Sequence, residues 1–303
     1  MIEWASVKNF RCLRDVETTL APFTVLVGPN GSGKTAFLDA IDPSPRAFQT
    51  DFWRHRDRFD VTLRLTGGKR LSSTKVGWKQ GWSDAFRYQR LHLDLLKLRE
   101  ENALQFADGL ASDGSNLANV FGTCTRQQQT ALATRFCQLV PMFSDVDVVP
   151  TNRGGYHTLR FHDRWEPSLH HSPDGVSDGT MLMVAFLALQ YQQARVDVIA
   201  IEEPERGLHP YLIEQLVDML RSMSTGALGP RPIQVMLATH SAELLEYVRP
   251  EEVRFFSRRS DDGSTEITAI DTKAPDWERS FHEHRESLGS AWLSGGLGGV
   301  PGG

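Results

Sequence analysis

The stretch GPNGSGKT, residues 28–35, decides how the rest of the chain is read. An apolar run, FTVLV (residues 23–27), precedes it, and a segment of helical character, AFLDAI (residues 36–41), follows. The pattern G-x-x-x-x-G-K-[ST] between a strand and a helix is a phosphate-binding loop. Its glycines let the backbone fold into a nest whose N–H groups point at phosphate oxygens. The helix behind it aims its positive end at the same place. Asn30, Gly31, Ser32 and Gly33 therefore form the cradle. Lys34 is expected to reach the β- and γ-phosphates, and Thr35 to place its hydroxyl on Mg2+. The motif implies a nucleotide's phosphates and Mg2+ as ligands.

Two further apolar runs end in polar residues. VDVIAIEE (residues 196–203) is nearly continuous in apolar side chains, as in a strand buried on both faces of a parallel sheet. A carboxylate at the C-terminal end of such a strand lies beside the phosphate loop in a doubly wound sheet. Glu202 is assigned to Mg2+, through water, and Glu203 to orienting or deprotonating the attacking water. Adjacent residues on a strand point to opposite faces, so the two acids take different roles. IQVMLATH (residues 233–240) ends in His240, which is expected at the same sheet edge and within reach of the γ-phosphate.

A polar tetrad, Ser177-Asp178-Gly179-Thr180, stands before the apolar run of residues 181–189. Taken alone it is an ordinary helix start, with side-chain oxygens accepting from free backbone N–H groups.

Outside these motifs the pattern is strand-rich, then alternating. MIEWASVKNF, DVETTL and the hairpin RFDVTLRL–TGGKR read as strands in the first 70 residues. YQRLHLDL (residues 88–95) alternates and reads as a strand, and SNLANVF and RQQQTALATRFCQLV read as helices. DVDVVP and YHTLRF read as strands. PYLIEQLVDMLRSM is an amphipathic helix with Leu212, Leu216, Met219, Leu220 and Met223 near helical spacing, and SAELLEYV is another helix. The strand–helix alternation of the second half implies an α/β sheet.

Composition sets the outer limits. The chain has 303 residues, 40% hydrophobic and 23% charged, enough to bury a large core. A net charge of −5 argues against a surface broadly coated for nucleic acid but permits a local basic groove. Cys12, Cys124 and Cys137 are odd in number and widely spaced, which fits a reduced compartment and no zinc site. The N-terminus carries no apolar signal core, and residues 181–189 are too short to cross a membrane. A cytoplasmic protein without a membrane partner is the expectation. The aromatic and Arg run WRHRDRF (residues 53–59) reads as a solvated strand edge before it reads as a nucleic-acid grip. His170-His171 and the pair around Glu283 lack a third ligand at metal-site spacing.

The ordered set VKNFRCLRDV, GPNGSGKT, SDGSNLANVF, VSDGT, IEEPERGLHP, ATHS and SLGSAWLSGGLGG resembles the ABC-type ATPase superfamily, on its RecF, SMC and OLD branch. Within it the chain is most similar to stand-alone bacterial AAA-like ATPases. The resemblance implies an α/β P-loop NTPase: an ABC-type head with a mostly parallel central sheet, an antiparallel β subdomain and a helical insertion. It implies one head over residues 1–303. The phosphate-loop lobe is 1–80, a mixed insertion 81–145, the lobe with tetrad, acids and His240 146–275, and a tail 276–303. It implies that VSDGT is the signature that faces the nucleotide of a second copy. Ser177 and the N–H groups around Gly179 would cap that copy's γ-phosphate, in a head-to-tail homodimer. Asp178 replaces the glycine usual in transporters, and its charge near phosphate must point away or meet a cation. Gly207-Leu208-His209-Pro210 sits where the family crosses its dimer interface, and Arg11 where relatives place a basic residue near the nucleotide. The Q-loop glutamine is left open between Gln49 and Gln89. SMC-like coiled-coil arms are absent from the pattern. No acid cluster outside the ATP site and no Toprim-like segment is visible, so the resemblance implies a regulatory ATPase for a separately encoded, nuclease-like effector in DNA repair or anti-phage defence. Nucleic acid is left open as a partner. The alternative is a nucleotide-binding subunit of an ABC transporter.

Overall fold

The computed structural model describes residues 1–43, 53, 58–74, 85–271 and 287–294. Its strands are β1 (Ile2–Phe10), β2 (Leu13–Thr19), β3 (Phe23–Val27), β4 (Asp60–Leu65), β5 (Arg70–Thr74), β6 (Tyr88–Leu91), β7 (Asn102–Ala103), β8 (Phe143–Pro150), β9 (Tyr156–Asp163), β10 (His170–His171), β11 (Val198–Glu202), β12 (Gln234–Thr239), β13 (Val253–Arg258) and β14 (Thr265–Ala269). Its α-helices are α1 (Lys34–Ile41), α2 (Leu117–Thr123), α3 (Arg126–Leu139), α4 (Asp178–Ala188), α5 (Pro210–Thr225), α6 (Ala242–Leu245) and α7 (Leu288–Leu293).

The central sheet runs β14-β13-β3-β12-β11-β6. Every neighbouring pair is parallel except β13 with β14. Both of its faces are covered, which is why its strands are continuously apolar. Val25, Ile199, Ile201, Val235 and Leu237 point into one core, with α4 and α5. Leu26, Val198, Ala200, Met236 and Ala238 point into the other, with α1 and β1. The alternation follows from the two-residue period of a strand. Gln234 is fully buried and still satisfied: its side chain exchanges hydrogen bonds with the backbone of Ile2 at 2.7 Å in each direction. That pair ties the first strand to the central sheet.

The second sheet is antiparallel, β2-β1-β4-β5. In the third, β7, β8 and β10 each pair with β9, and α3 lies over β8. Helix α3 opens with a capping box formed by Thr125 and Gln128. Helix α4 is buried from Gly179 to Ala188. At roughly 1.5–3 kcal/mol per large apolar side chain, that burial fixes the helix rigidly in the molecule.

Two expected elements come out shorter. The strand at residues 88–95 ends at Leu91, because Leu93 and Leu95 pack on the core from a loop instead of alternating in a ladder. It lies within the 81–145 segment, yet forms the edge of the central sheet beside β11. The helix in SAELLEYV is a single turn, α6, against which α7 packs. Of the WRHRDRF run, Phe59 is buried against the Phe10 ring at 5.8 Å and is not free to stack on a base. Residues 54–57, Gln49, the 282–284 pair and the glycine-rich end of the tail lie outside the described residues. No described helix is long and apolar enough to cross a membrane.

Candidate active site

The phosphate loop leaves β3 and enters α1. Gly31 and Gly33 take left-handed backbone angles, φ 76° and 112°, which a side chain would resist. At Gly33 a Cβ would also stand 2.4 Å from Thr265 Oγ1, so the position is closed sterically as well. Gly33 is the N-cap of α1 and offers no side-chain acceptor. The first N–H groups of α1 are thus left for an anion. Lys34 folds over the loop, its Nζ donating to Gly28 O at 2.7 Å and Pro29 O at 3.0 Å. Burial lowers the Lys34 ammonium pKa, and the charges of Glu203, Glu202 and Glu205 oppose that shift. The Ser32 hydroxyl is buried without a hydrogen-bond partner.

Beside the loop is a cleft of about 430 Å³. Asn30, Gly31, Gly33, Lys34, Thr35, Glu202, Glu203 and Arg11 all line it. Arg11 reaches it from the β1–β2 turn, where its φ is 47°, and pairs with Asp39 of α1. Thr35 Oγ1 donates to Glu202 Oε2 at 2.6 Å. A hydroxyl and a carboxylate side by side are hard oxygen donors, and Mg2+ at a nucleotide takes one or two such ligands plus phosphates and water. The residues present therefore fit a Mg2+–nucleotide complex. Among the described residues there is no cluster of three or more His, Cys, Asp or Glu for a metal cage.

The two acids separate by a different device from the one the strand pattern suggests. β11 ends at Glu202, and Glu203 has left-handed backbone, φ 47°. A non-glycine residue there is strained, and such strain collects at functional sites. The kink, held by Glu203 N–H donating to Ala238 O at 2.8 Å, turns the second carboxylate away from the first. Glu203 Oε1 lies 3.3 Å from His240 Nδ1. His240 is exposed just past the end of β12.

Several residues of this site carry no motif. Arg90 of β6 donates through Nε to Glu202 Oε1 at 3.0 Å and also pairs with Asp39. Burial pushes the Glu202 carboxyl up, but the Thr35 and Arg90 hydrogen bonds and the Arg90 charge outweigh it and hold it low. Arg258 of β13 lines the cleft and braces the loop, donating to Gly31 O at 2.7 Å. Glu205, just after the acid pair, accepts from Thr239 Oγ1 at 2.5 Å while its burial raises its pKa. Gln89 does not face the cleft: it exchanges hydrogen bonds with Gln192 and donates to Leu110 O at 2.8 Å. As the residue before Arg90 on a strand it points to the opposite face.

The tetrad lies elsewhere. Neither Ser177 nor Gly179 lines this chain's own cleft. Ser177 Oγ accepts from Thr180 N–H at 3.2 Å, so it is a cap, yet Ser177 itself is exposed. Gly179 is buried against the Gly207 turn, where a Cβ would stand 2.9 Å from Gly207 O. The cation that Asp178 requires is present: Arg99, at 2.6 Å.

Comparison with known proteins agrees with this geometry. A family model described as "AAA ATPase domain" matches residues 1–46, and one described as "AAA domain, putative AbiEii toxin, Type IV TA system" matches residues 171–246. An OLD nuclease of Thermus scotoductus is 50% identical over 56 residues, which is 16% of this chain and 11% of that protein. An Smc head solved bound to the C-winged helix domain of ScpA has a TM-score of 0.61 at 14% identity, covering 90% of this chain and 98% of that one. An Smc head solved with a ScpA domain derived from Pyrococcus furiosus gives 0.59 at 13% identity, covering 94% and 99%. Two stretches of the chain thus match AAA-type ATPase family models, and its fold is that of the Smc heads. The transporter-subunit alternative finds no support in these matches.

Arg90 stands between two carboxylates that are each largely buried, which suggests a direct test. Arg90→Met strands Glu202 without its cation and leaves Asp39 to Arg11 alone, at a cost of about 3 kcal/mol. The melting temperature is expected to fall in chelator and to recover in part with Mg2+ and ATP, read by differential scanning fluorimetry. Equal loss in both conditions would remove Glu202 from the metal site.

Proposed function

We propose that the chain is a Mg2+-dependent ATP hydrolase that works as a nucleotide-driven dimerisation switch. Two copies close head to tail, each offering its Ser177 tetrad to the triphosphate in the other's cleft. The observation that carries this reading is the position of Ser177: exposed, capping α4, and absent from the cleft of its own chain. A cleft walled on one side by a phosphate loop leaves the γ-phosphate short of donors, and a second helix N-terminus can supply them.

In the reading we favour, Lys34 and the loop N–H groups bind the β- and γ-phosphates, with Arg11 and Arg258 beside them. Thr35 and Glu202 would hold Mg2+, which when bound would neutralise charge on the phosphates. Glu203 takes a proton from the attacking water. The water oxygen bonds to the γ-phosphorus, and the bond to the bridging oxygen breaks to leave ADP and phosphate. His240, beside Glu203, orients that water or contacts the γ-phosphate. Loss of the γ-phosphate removes what joins the two copies, and the pair opens.

A regulatory role over a separate protein partner fits the relatives: one is named a nuclease, and the Smc heads were solved bound to a partner domain. The partner proposed is a nuclease-like effector in DNA repair or anti-phage defence. ATP turnover raised by duplex ends or single strands would support that setting, and turnover indifferent to both would count against it.

Mixing two inactive variants tests the composite site. Lys34→Ala lacks a working loop and Ser177→Arg lacks a working lid. A mixed dimer restores one whole site, so a one-to-one mixture should recover up to about a quarter of wild-type turnover. No recovery on mixing, with each variant folded, rules out the shared site.

A further inference from the structure

Arg99 belongs to a short 3-10 turn, Lys97–Arg99, between β6 and β7. Its side chain is only 13% exposed, although it ends in a permanent charge. Its side-chain hydrogen bonds all go to the approach to α4. It donates to Pro173 O, to Val176 O at 3.1 Å and to Asp178 Oδ1 at 2.6 Å, while Asp178 remains 50% exposed. A largely buried guanidinium is costly unless it is paired and hydrogen-bonded, and here both Nη1 and Nη2 are spent on one loop. We propose that Arg99 is a positioning residue for nucleotide-dependent dimerisation. It cancels the Asp178 charge and pins the loop, so that the start of α4 faces the partner's triphosphate as a net donor surface. This rests on the shared-site reading above.

The SDGSN stretch, residues 112–116, supports that role. Ser112 O and Asp113 O accept from His92 N–H at 2.7 Å and Asp94 N–H at 3.0 Å, which holds the segment leading to Arg99. Asp94 then caps the turn through Leu96 N–H at 2.8 Å. Gly114 has φ 81°, and a Cβ there would stand 2.5 Å from Leu98 Cδ2. Leu98 can be seated, and Arg99 aimed, because position 114 has no side chain. One Ser-Asp-Gly stretch therefore sets the residue that neutralises the aspartate of the other.

The charge role and a plain structural tie predict different results in a double-mutant cycle. Association with Mg2+ and ATP is measured by analytical ultracentrifugation in a Glu203→Gln background, which slows hydrolysis. R99M is expected to weaken the dimer at least tenfold where Asp178 is present. With D178N also present, the same change should cost less than threefold, because no uncompensated charge then faces the triphosphate. Equal losses in the two backgrounds, or no loss in either, overturn the proposal. If R99M does not fold, R99K replaces it: the charge is kept, and association should stay within threefold of the parent. A tenfold loss with R99K overturns the charge role. Failure of the underlying reading looks different: the Glu203→Gln parent itself stays monomeric with ATP.

Discussion

Glu203→Gln is expected to lower ATP turnover about a thousandfold, within the range lost with a general base, while ATP still binds. The amide keeps the size of the carboxylate but cannot take a proton from water. Among the described residues no hydrogen bond or ion pair joins this side chain to the phosphate loop: Lys34 bonds to Gly28 O and Pro29 O, and Thr35 to Glu202. Binding should therefore survive, and the variant should accumulate as an ATP-bound dimer. Single-turnover phosphate release and light scattering on the same sample check both halves. Turnover within tenfold of the parent would move the base elsewhere. His240, 3.3 Å from Glu203, would be the next residue to examine.

Lys34→Ala should have the second-largest effect, a loss of nucleotide affinity on the order of a hundredfold, as expected for truncating one partner of a buried charge pair. The ammonium spans two roles. It is a cation of the loop that lines the cleft, and it closes the loop by bonding two of its carbonyls. The second role predicts a modest stability loss as well, about 1–2 kcal/mol for two hydrogen bonds. Calorimetric titration with ATP reads the first effect and a thermal melt the second. An unchanged ATP affinity would mean that the cleft beside Gly28–Thr35 is not the nucleotide site. Lys34→Ala and Glu203→Gln also separate binding from chemistry, since the first should remove ATP and the second should keep it.

Which parts of this site could be read in advance follows from how local each part is. The loop needs two positive-φ glycines, a Lys and a Thr within eight residues, and all of these lie together in the chain. The Ser177 cap closes over three residues. β3, β11 and β12 declare themselves through unbroken apolar runs, because both sheet faces are covered. Gln89 shows the opposite case. Its residue type suited a role at the nucleotide, but strand parity turned it toward Gln192, and the register of β6 on β11 that sets this parity is a long-range property.

By itself, the sequence determined the phosphate loop, the acids and His240 at the strand ends, and the cap on α4, since each depends on neighbours a few residues away. Only the tertiary structure decided which cations serve them. Arg90 meets Glu202 across 112 residues, Arg258 meets Gly31 across 227, and Arg99 meets Asp178 across 79. Arginine is common on any surface, and nothing in its local pattern marks the one whose charge will be buried. The kink at Glu203 belongs with them: its φ of 47° is held by the neighbouring strand end and not by the residue's own preference. Coulombic partners are chosen by distance in space, and chain order carries that distance only where the backbone path is short.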